Sequence, residues 1–139
     1  MSYDLKIIEI KDLTDIKNDL LRARARRARN FRSHEFVCVS NEEELAFMSI
    51  ENISDRSCII VYEILDLLEH RSRGVGSALL LYAESFASRI GYCGIQLRAN
   101  AFDRTISSEW LVAWYAGKGY VQNSPGSEEM EKILPSTHV

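Results

Sequence analysis

The stretch Leu65–Ala78, which reads Leu-Asp-Leu-Leu-Glu-His-Arg-Ser-Arg-Gly-Val-Gly-Ser-Ala, constrains this chain more than any other. An apolar run stops, a basic turn with two glycines follows, and a helical pattern begins at once. A strand that feeds through glycines into a helix leaves the first N–H groups of that helix without intrahelical partners, at the positive end of its dipole. Such an arrangement suits a phosphate group, and Arg71 and Arg73 add positive charge beside it. The same residues also suit a plain strand-to-helix turn in which glycine only permits positive φ.

Cys58–Leu68 is a nearly continuous apolar run, the pattern of a strand buried on both faces in mid-sheet, interrupted only by Glu63 and Asp66. Buried carboxylates are costly unless paired or used. In a regular strand these two face opposite sides, and a one-residue bulge between them would bring both to one side, a feature common beside active sites. Exposure near a strand end is the plainer alternative. Val75–Ile90 has the strongest helical pattern, with Val75, Ala78, Leu79, Tyr82, Phe86 and Ile90 on one face and Gly91 as its stop. Gly94–Ala99 is a further strand, and a helical crossover makes it a parallel partner of Cys58–Leu68.

Asn100–Thr105 reads as a loop, and Ser107 or Ser108 caps a helix through Trp110, Leu111, Trp114 and Tyr115 that ends in Gly117-Lys118-Gly119. Tyr120–Gln122 and Met130–Leu134 form a closing strand pair around Asn123–Ser127, and Pro135–Val139 is a frayed tail. At the other end, Leu5–Ile10 is a strand. Asp12 or Thr14 caps a helix expected over Asp12–Ala28, with Leu13, Ile16 and Leu20 on its sheet-facing side. Arg24 and Arg27 fall on that same side, so either the helix breaks near Leu21–Ala23 or these arginines look into a pocket. Arg22, Arg26 and Arg29 make a separate stripe, read as a solvated face. Glu35–Ser40 and Leu45–Ile50 form a hairpin around the acidic turn Asn41–Glu44. The expected order is β-α-β-β-β-α-β-α-β-β, a mixed α/β sheet with helices on its faces, in a single domain over residues 1–139.

A chain of 139 residues that is 46% hydrophobic and 27% charged can bury a real core. It has no apolar run of about 18 residues, so no membrane association is expected. Cys38, Cys58 and Cys93 are odd in number and lack metal-ligand spacing, which points to buried, reduced thiols in a cytoplasmic protein. His34, His70 and His138 are scattered, and no metal site is expected. Residues 1–33 carry nine Lys/Arg and five Asp/Glu, whereas the remainder carries eight and fifteen. An acidic body argues against a general nucleic-acid binder.

Two motifs carry a resemblance. Arg71-Ser72-Arg73-Gly74-Val75-Gly76 resembles the acetyl-CoA signature of the GNAT N-acetyltransferases, an Arg or Gln, two residues, Gly, one residue, then Gly or Ala. Tyr115-Ala116-Gly117-Lys118-Gly119-Tyr120 resembles that family's Tyr-x-x-x-Gly-Phe/Tyr motif at the end of the next helix. The resemblance covers almost the whole chain, most firmly from Cys58 to Tyr120, and implies the GNAT fold.

It also implies roles. The glycine loop, Arg71, Ser72, Arg73, Gly74, Val75, Gly76 and Ser77, would hold the CoA pyrophosphate. Backbone groups of Ile64, Leu65 and Asp66 would hold the pantetheine arm, with an N–H near Ile64 polarising the thioester carbonyl. Tyr115 matches the tyrosine that protonates the departing thiolate. Ser108 stands where the family often has an asparagine that contacts pantetheine, and Asn100 is an alternative from the end of its strand. The base is open among Glu63, Asp66, Asp103 and a water chain. The implied activity is direct transfer of acetyl from acetyl-CoA, the cosubstrate, to a primary amine in a small molecule, peptide or protein. The acceptor would border Asp12–Ala28 and the loops after Ile50 and Asn100, where Arg24 and Arg27 are placed to pair with an acceptor carboxylate or phosphate. The alternative is a CoA-binding regulatory or interaction module without turnover. The apolar C-terminal strands offer an edge for a homodimer.

Overall fold

A computed structural model describes residues 4–52, 57–67, 74–99 and 106–135, with the side chain of Asp66 outside that set. The strands are β1 (Lys6–Ile10), β2 (Ser33–Ser40), β3 (Glu43–Glu51), β4 (Cys58–Asp66), β5 (Gly94–Arg98), β6 (Val121–Gln122) and β7 (Glu129–Ile133). The helices are α1 (Asp19–Ala28), α2 (Val75–Arg89) and α3 (Ser108–Gly117). Their order is the one expected from the sequence, with a 3-10 turn at Leu13–Asp15 in addition.

The strands form one sheet in the order β1-β2-β3-β4-β5-β7-β6. β4 and β5 are parallel and every other neighbouring pair is antiparallel. The β2–β3 turn is only Asn41 and Glu42, at φ of 50° and 68°. Two successive positive φ values give a primed turn, whose twist matches that of its strands.

Each sheet face buries its own cluster. On one, Phe36, Met48, Ile59, Val61, Ile95 and Leu97 pack with Val75, Leu79, Leu80, Ala83 and Phe86 of α2 and with Tyr115 of α3. On the other, Val37, Phe47 and Leu67 pack with Ile16 and with Leu21, Ala25 and Ala28 of α1. The buried residues of α2 are displaced by part of a turn from the expected set, since Leu80, Ala83 and Ala87 are inside and Ile90 is exposed.

The continuous helix expected over Asp12–Ala28 is broken. Asp12 caps the short turn, Ile16 takes extended backbone, and Asn18 caps α1 by accepting from the Leu21 N–H. Glu44 holds the break in place by accepting from the Lys17 and Asn18 N–H groups at 2.9 and 2.6 Å. Restarting the helix at Asn18 changes its phase, so Leu21 replaces Leu20 in the core and Leu20 faces outward. The break lies upstream of the Leu21–Ala23 position that the sequence suggests.

Cys38 and Cys58 are buried as expected, whereas Cys93 is exposed in the connection from α2 to β5. Burial pushes the Cys38 thiol up to about 11. Alkylation of the folded protein at pH 8 should therefore modify Cys93 while Cys38 reacts only on unfolding, which peptide mass mapping will read. Gly94 is required by close packing, because a Cβ there would meet the Lys132 carbonyl oxygen at 2.7 Å and Cys58 Sγ at 3.0 Å. Gly94→Ala should cost about 1–3 kcal/mol in urea unfolding, as overpacking does.

Candidate active site

The site begins with an irregularity in β4. Against β3, Ser49 pairs with Glu63 and Ile50 with Val61, so Tyr62 is an extra residue, a β-bulge. Against β5, pairing runs from Cys58/Gly94 only to Val61/Leu97. Past the bulge β4 continues to Asp66 along β3, while β5 leans on β7 through Arg98/Glu129. The two parallel strands thus part at Val61/Leu97, leaving a wedge with the backbone of residues 62–66 along one wall.

Two helix ends flank the wedge. Gly74, left-handed at φ 76°, is the N-cap of α2, and the first helical bond runs from the Ala78 N–H to the Gly74 carbonyl at 3.0 Å. The N–H groups of Val75, Gly76 and Ser77 are therefore left over by the helix, at the positive end of its dipole. α3 begins with Ser107 as its N-cap, accepting from the Trp110 N–H at 3.1 Å, so Ser108 is the first helical residue. A Cβ on Gly76 would touch the Trp114 ring at 3.6 Å, which lays that ring over the first turn of α2. The Lys118 ammonium lies 5.3 Å from the same ring centroid and adds positive charge on that side.

Tyr115 is buried next to Trp114, its ring 5.0 Å from that of Trp114 and 5.8 Å from that of Tyr120. The two tyrosines of the second motif do different things. Tyr120 donates its hydroxyl to Glu84 at 3.1 Å, and Lys132 donates to the other oxygen of Glu84 at 3.1 Å. Burial first, and then the Glu84 charge, push the Tyr120 phenol far above its ordinary value. It stays protonated and ties the end of α3 to α2.

The opposite face of the sheet carries a buried polar row. Glu35, Ser49 and Glu63 stand side by side on β2, β3 and β4. Ser49 donates to Glu35 at 3.2 Å, and Arg29, the C-cap residue just after α1, donates to the other oxygen of Glu35 at 2.6 Å. Arg24 of α1 grips Glu63 in a two-pronged pair, Nε to Oε2 and Nη2 to Oε1, both at 2.9 Å. The bulge produces this meeting. Uninterrupted alternation from Val61 would place Glu63 under α2, and the extra residue Tyr62 turns Glu63 toward α1 instead.

These placements correct several expectations. The bulge precedes Glu63 rather than lying between Glu63 and Asp66, and the register runs unbroken from one to the other, so it does not bring them to one side. Arg24 looks inward to a carboxylate, whereas Arg27 on the expected same side is exposed. Arg29 pairs with a fully buried glutamate, so the stripe Arg22, Arg26 and Arg29 is not simply a solvated face. Arg71, Ser72, Arg73, Asn100 and Asp103 lie outside the described residues, and for Asp66 only the backbone is described. Sequence reasoning missed Trp114 and Lys118 beside the α2 terminus, although their place in the Tyr115–Tyr120 motif was visible. It also missed the Glu63–Arg24 pairing, which no spacing announces.

The Arg24 and Glu63 side chains are only 11% and 9% exposed. Glu63→Ala should therefore cost about 3–5 kcal/mol by breaking a buried ion pair, and replacing both residues by Met should recover most of that loss. Urea unfolding of the single and double variants measures both.

Among the described residues no cluster of three or more His, Cys, Asp or Glu could hold a metal ion, and no helix is long and apolar enough to cross a membrane. No family model matches the chain, and no curated protein matches it by sequence. Solved structures do match. The ribosomal-protein-S18-alanine N-acetyltransferase from Escherichia coli aligns over 97% of this chain and 96% of its own, with 15% identity and a TM-score of 0.67. The PaiA N-acetyltransferase from Thermoplasma acidophilum, solved in complex with coenzyme A, aligns over 96% and 100%, with 16% identity and a TM-score of 0.64. A nourseothricin acetyltransferase aligns over 76% and 67%, with 20% identity and a TM-score of 0.61. The parted β4 and β5, with the glycine-capped α2 after one and α3 after the other, sit in an architecture shared along nearly the whole chain with two of these three, and the protein has the GNAT acetyltransferase fold.

Proposed function

We propose that this protein is an acyl-CoA-dependent N-acyltransferase that moves an acetyl group from acetyl-CoA to a primary amine. The observation that carries the proposal is the wedge opened at the Tyr62 bulge, with a glycine-capped helix terminus on one flank and Tyr115 on the other. A CoA thioester needs those three things together. Its pyrophosphate calls for N–H donors, which Val75, Gly76 and Ser77 supply at the start of α2, with Lys118 on the Trp114 ring beside them and the basic residues Arg71 and Arg73 just before them in the sequence. Its pantetheine arm carries amides that pair as a strand does, and the β5-side edge of β4 at Ile64, Leu65 and Asp66, which has no strand partner among the described residues, offers such pairing.

The chemistry follows from that placement. The acceptor nitrogen, in its neutral form, attacks the thioester carbon, and the developing oxyanion is met by a β4 main-chain N–H near Ile64. The C–S bond breaks, the amide forms, and the thiolate takes a proton from Tyr115. Tyr115 is the residue that the motif assigns to this role, and the Tyr120 hydroxyl donates to Glu84. Glu63 is the described carboxylate beside the wedge. Both of its oxygens accept from Arg24, and water is the other route by which the amine's proton leaves.

Acetyl-CoA at 100 times its Kd should add about 2.7 kcal/mol of stability, visible as a rise in Tm. Tyr115→Phe should preserve that rise while slowing thiol release with an amine acceptor by about 100-fold, the scale of a lost general acid. A Tm unmoved by acetyl-CoA, or full activity in Tyr115→Phe, would overturn the corresponding part of the proposal. Binding without thiol release across an amine panel would instead favour a CoA-binding module.

A further inference from the structure

The helix α1 covers only half of its side of the sheet. Its apolar cluster reaches Val37 of β2, Phe47 of β3 and Leu67 just after β4, and it includes no residue of β5, β6 or β7. Alternation along β7 sends Met130 and Lys132 toward α2, so Glu129, Glu131 and Ile133 stand on the α1 side. Val121 of β6 pairs with Glu131 and shares that side. Val121 and Ile133 are 67% and 66% exposed there. Glu131 accepts from the neutral Gln96 amide at 3.3 Å, and among the described residues no ion pair engages Glu129. The open half is thus an apolar pair flanked by two carboxylates, one helix thickness, about 10 Å, below the outer surface of α1.

The outer side of α1 is the converse surface. Leu20, Ala23, Arg26 and Arg27 are exposed on it. Among the described residues no carboxylate meets Arg26 or Arg27. Phe31, 92% exposed, and Arg32, whose guanidinium lies 5.1 Å from the Phe31 ring centroid, extend this apolar and basic surface past the helix. The helix cannot turn these groups onto its own open half, because Arg24–Glu63 and Arg29–Glu35 fasten it to β4 and β2.

One chain therefore carries both members of a complementary pair. The asymmetry begins in the sequence, where residues 1–33 have nine Lys/Arg against five Asp/Glu and the remainder has eight against fifteen. The two surfaces lie side by side on one face of one sheet, over its β1–β4 half and its β5-β7-β6 half. When two such faces meet, a two-fold axis along the strands exchanges left and right and sets the α1 of each copy over the open half of the other. The contact closes on itself, and opposite charges meet twice. The sheet edge offers less, since β6 at that edge has two residues.

We propose that the protein is a symmetric homodimer in which the outer side of α1, through Leu20, Arg26 and Arg27, docks on Val121, Glu129, Glu131 and Ile133 of a second copy.

Sedimentation velocity of the full chain over a wide concentration range should show a species of twice the 15.9 kDa chain mass. Added salt should promote its dissociation. Arg26→Glu with Arg27→Glu, and separately Glu129→Lys with Glu131→Lys, should each raise the dimer Kd by at least about tenfold, because like charges then face one another at both contacts. An equimolar mixture of the two variants should regain the dimer mass, since both contacts of the mixed dimer again pair opposite charges. Glu129→Lys with Val121→Lys, which leaves Glu131 in place, serves if the first strand variant does not fold. A chain that stays monomeric at every concentration, charge reversals that leave a dimer intact, or a mixture that stays monomeric would each overturn the inference.

Discussion

The architecture depends on one extra residue in one strand. Tyr62 interrupts the β3–β4 ladder at the step where the β4–β5 ladder ends. A bulge bends its strand and steepens its twist, and here the neighbour on the other side, β5, is paired along its length with β7. The strands therefore separate, and the separation is stable because each half keeps a partner and its own covering. Parallel strands joined by a helical crossover already place the α2 terminus at the C-terminal end of β4. The bulge adds a parting of the strands beside that terminus, and the proposed function draws on the two together.

The same residue reorganises the chemistry of the other face. By reversing the alternation after Val61, it sends Ile64 to the side of α2 and Glu63 to the side of α1. Glu63 there becomes the third member of a row that Glu35 and Ser49 begin. Two glutamates buried in a sheet are tolerable only with counterions, and α1 with its C-cap brings both, Arg24 for Glu63 and Arg29 for Glu35. The short helix is therefore tied to the sheet at two points by charge as well as by Leu21, Ala25 and Ala28. This accounts for an arginine-rich α1 in a chain whose body is otherwise acidic, because the inward arginines answer carboxylates displayed by the strands. Arg26 and Arg27 remain on the exposed side, Arg26 as the amphipathic pattern expects and Arg27 against it, because the helix restarts at Asn18 with a new phase.

Much of the fold was legible because its signals are local. The glycine stop after α2, the serine cap of α3, the Asn41 turn and the alternating runs each encode a backbone choice within a few residues. The failures share a cause. The continuous Asp12–Ala28 helix ignores Glu44, a residue on another element whose carboxylate holds the break open. Counting alternation along β4 places Glu63 on the wrong face, since a bulge is a property of two strands and not of one. Trp114 was visible as an aromatic on a helix, but its position over Gly76 requires two helices to meet.

Taken by itself, the sequence determined the order of the elements, the helix that opens on Gly74 and the tyrosine that closes the second motif. Those follow from periodicity, capping and glycine conformation, which act over one or two turns of chain. Only the tertiary structure decided which carboxylate meets which arginine, where β4 and β5 part, and that the Tyr120 hydroxyl meets Glu84. Burial and charge compensation settle these matters, and both depend on groups far apart in the chain. The glycine turn after β4 is thus readable as a phosphate cradle from its residues alone, whereas the face opposite it acquires its polarity from a fold that turns Glu63 around to face Arg24.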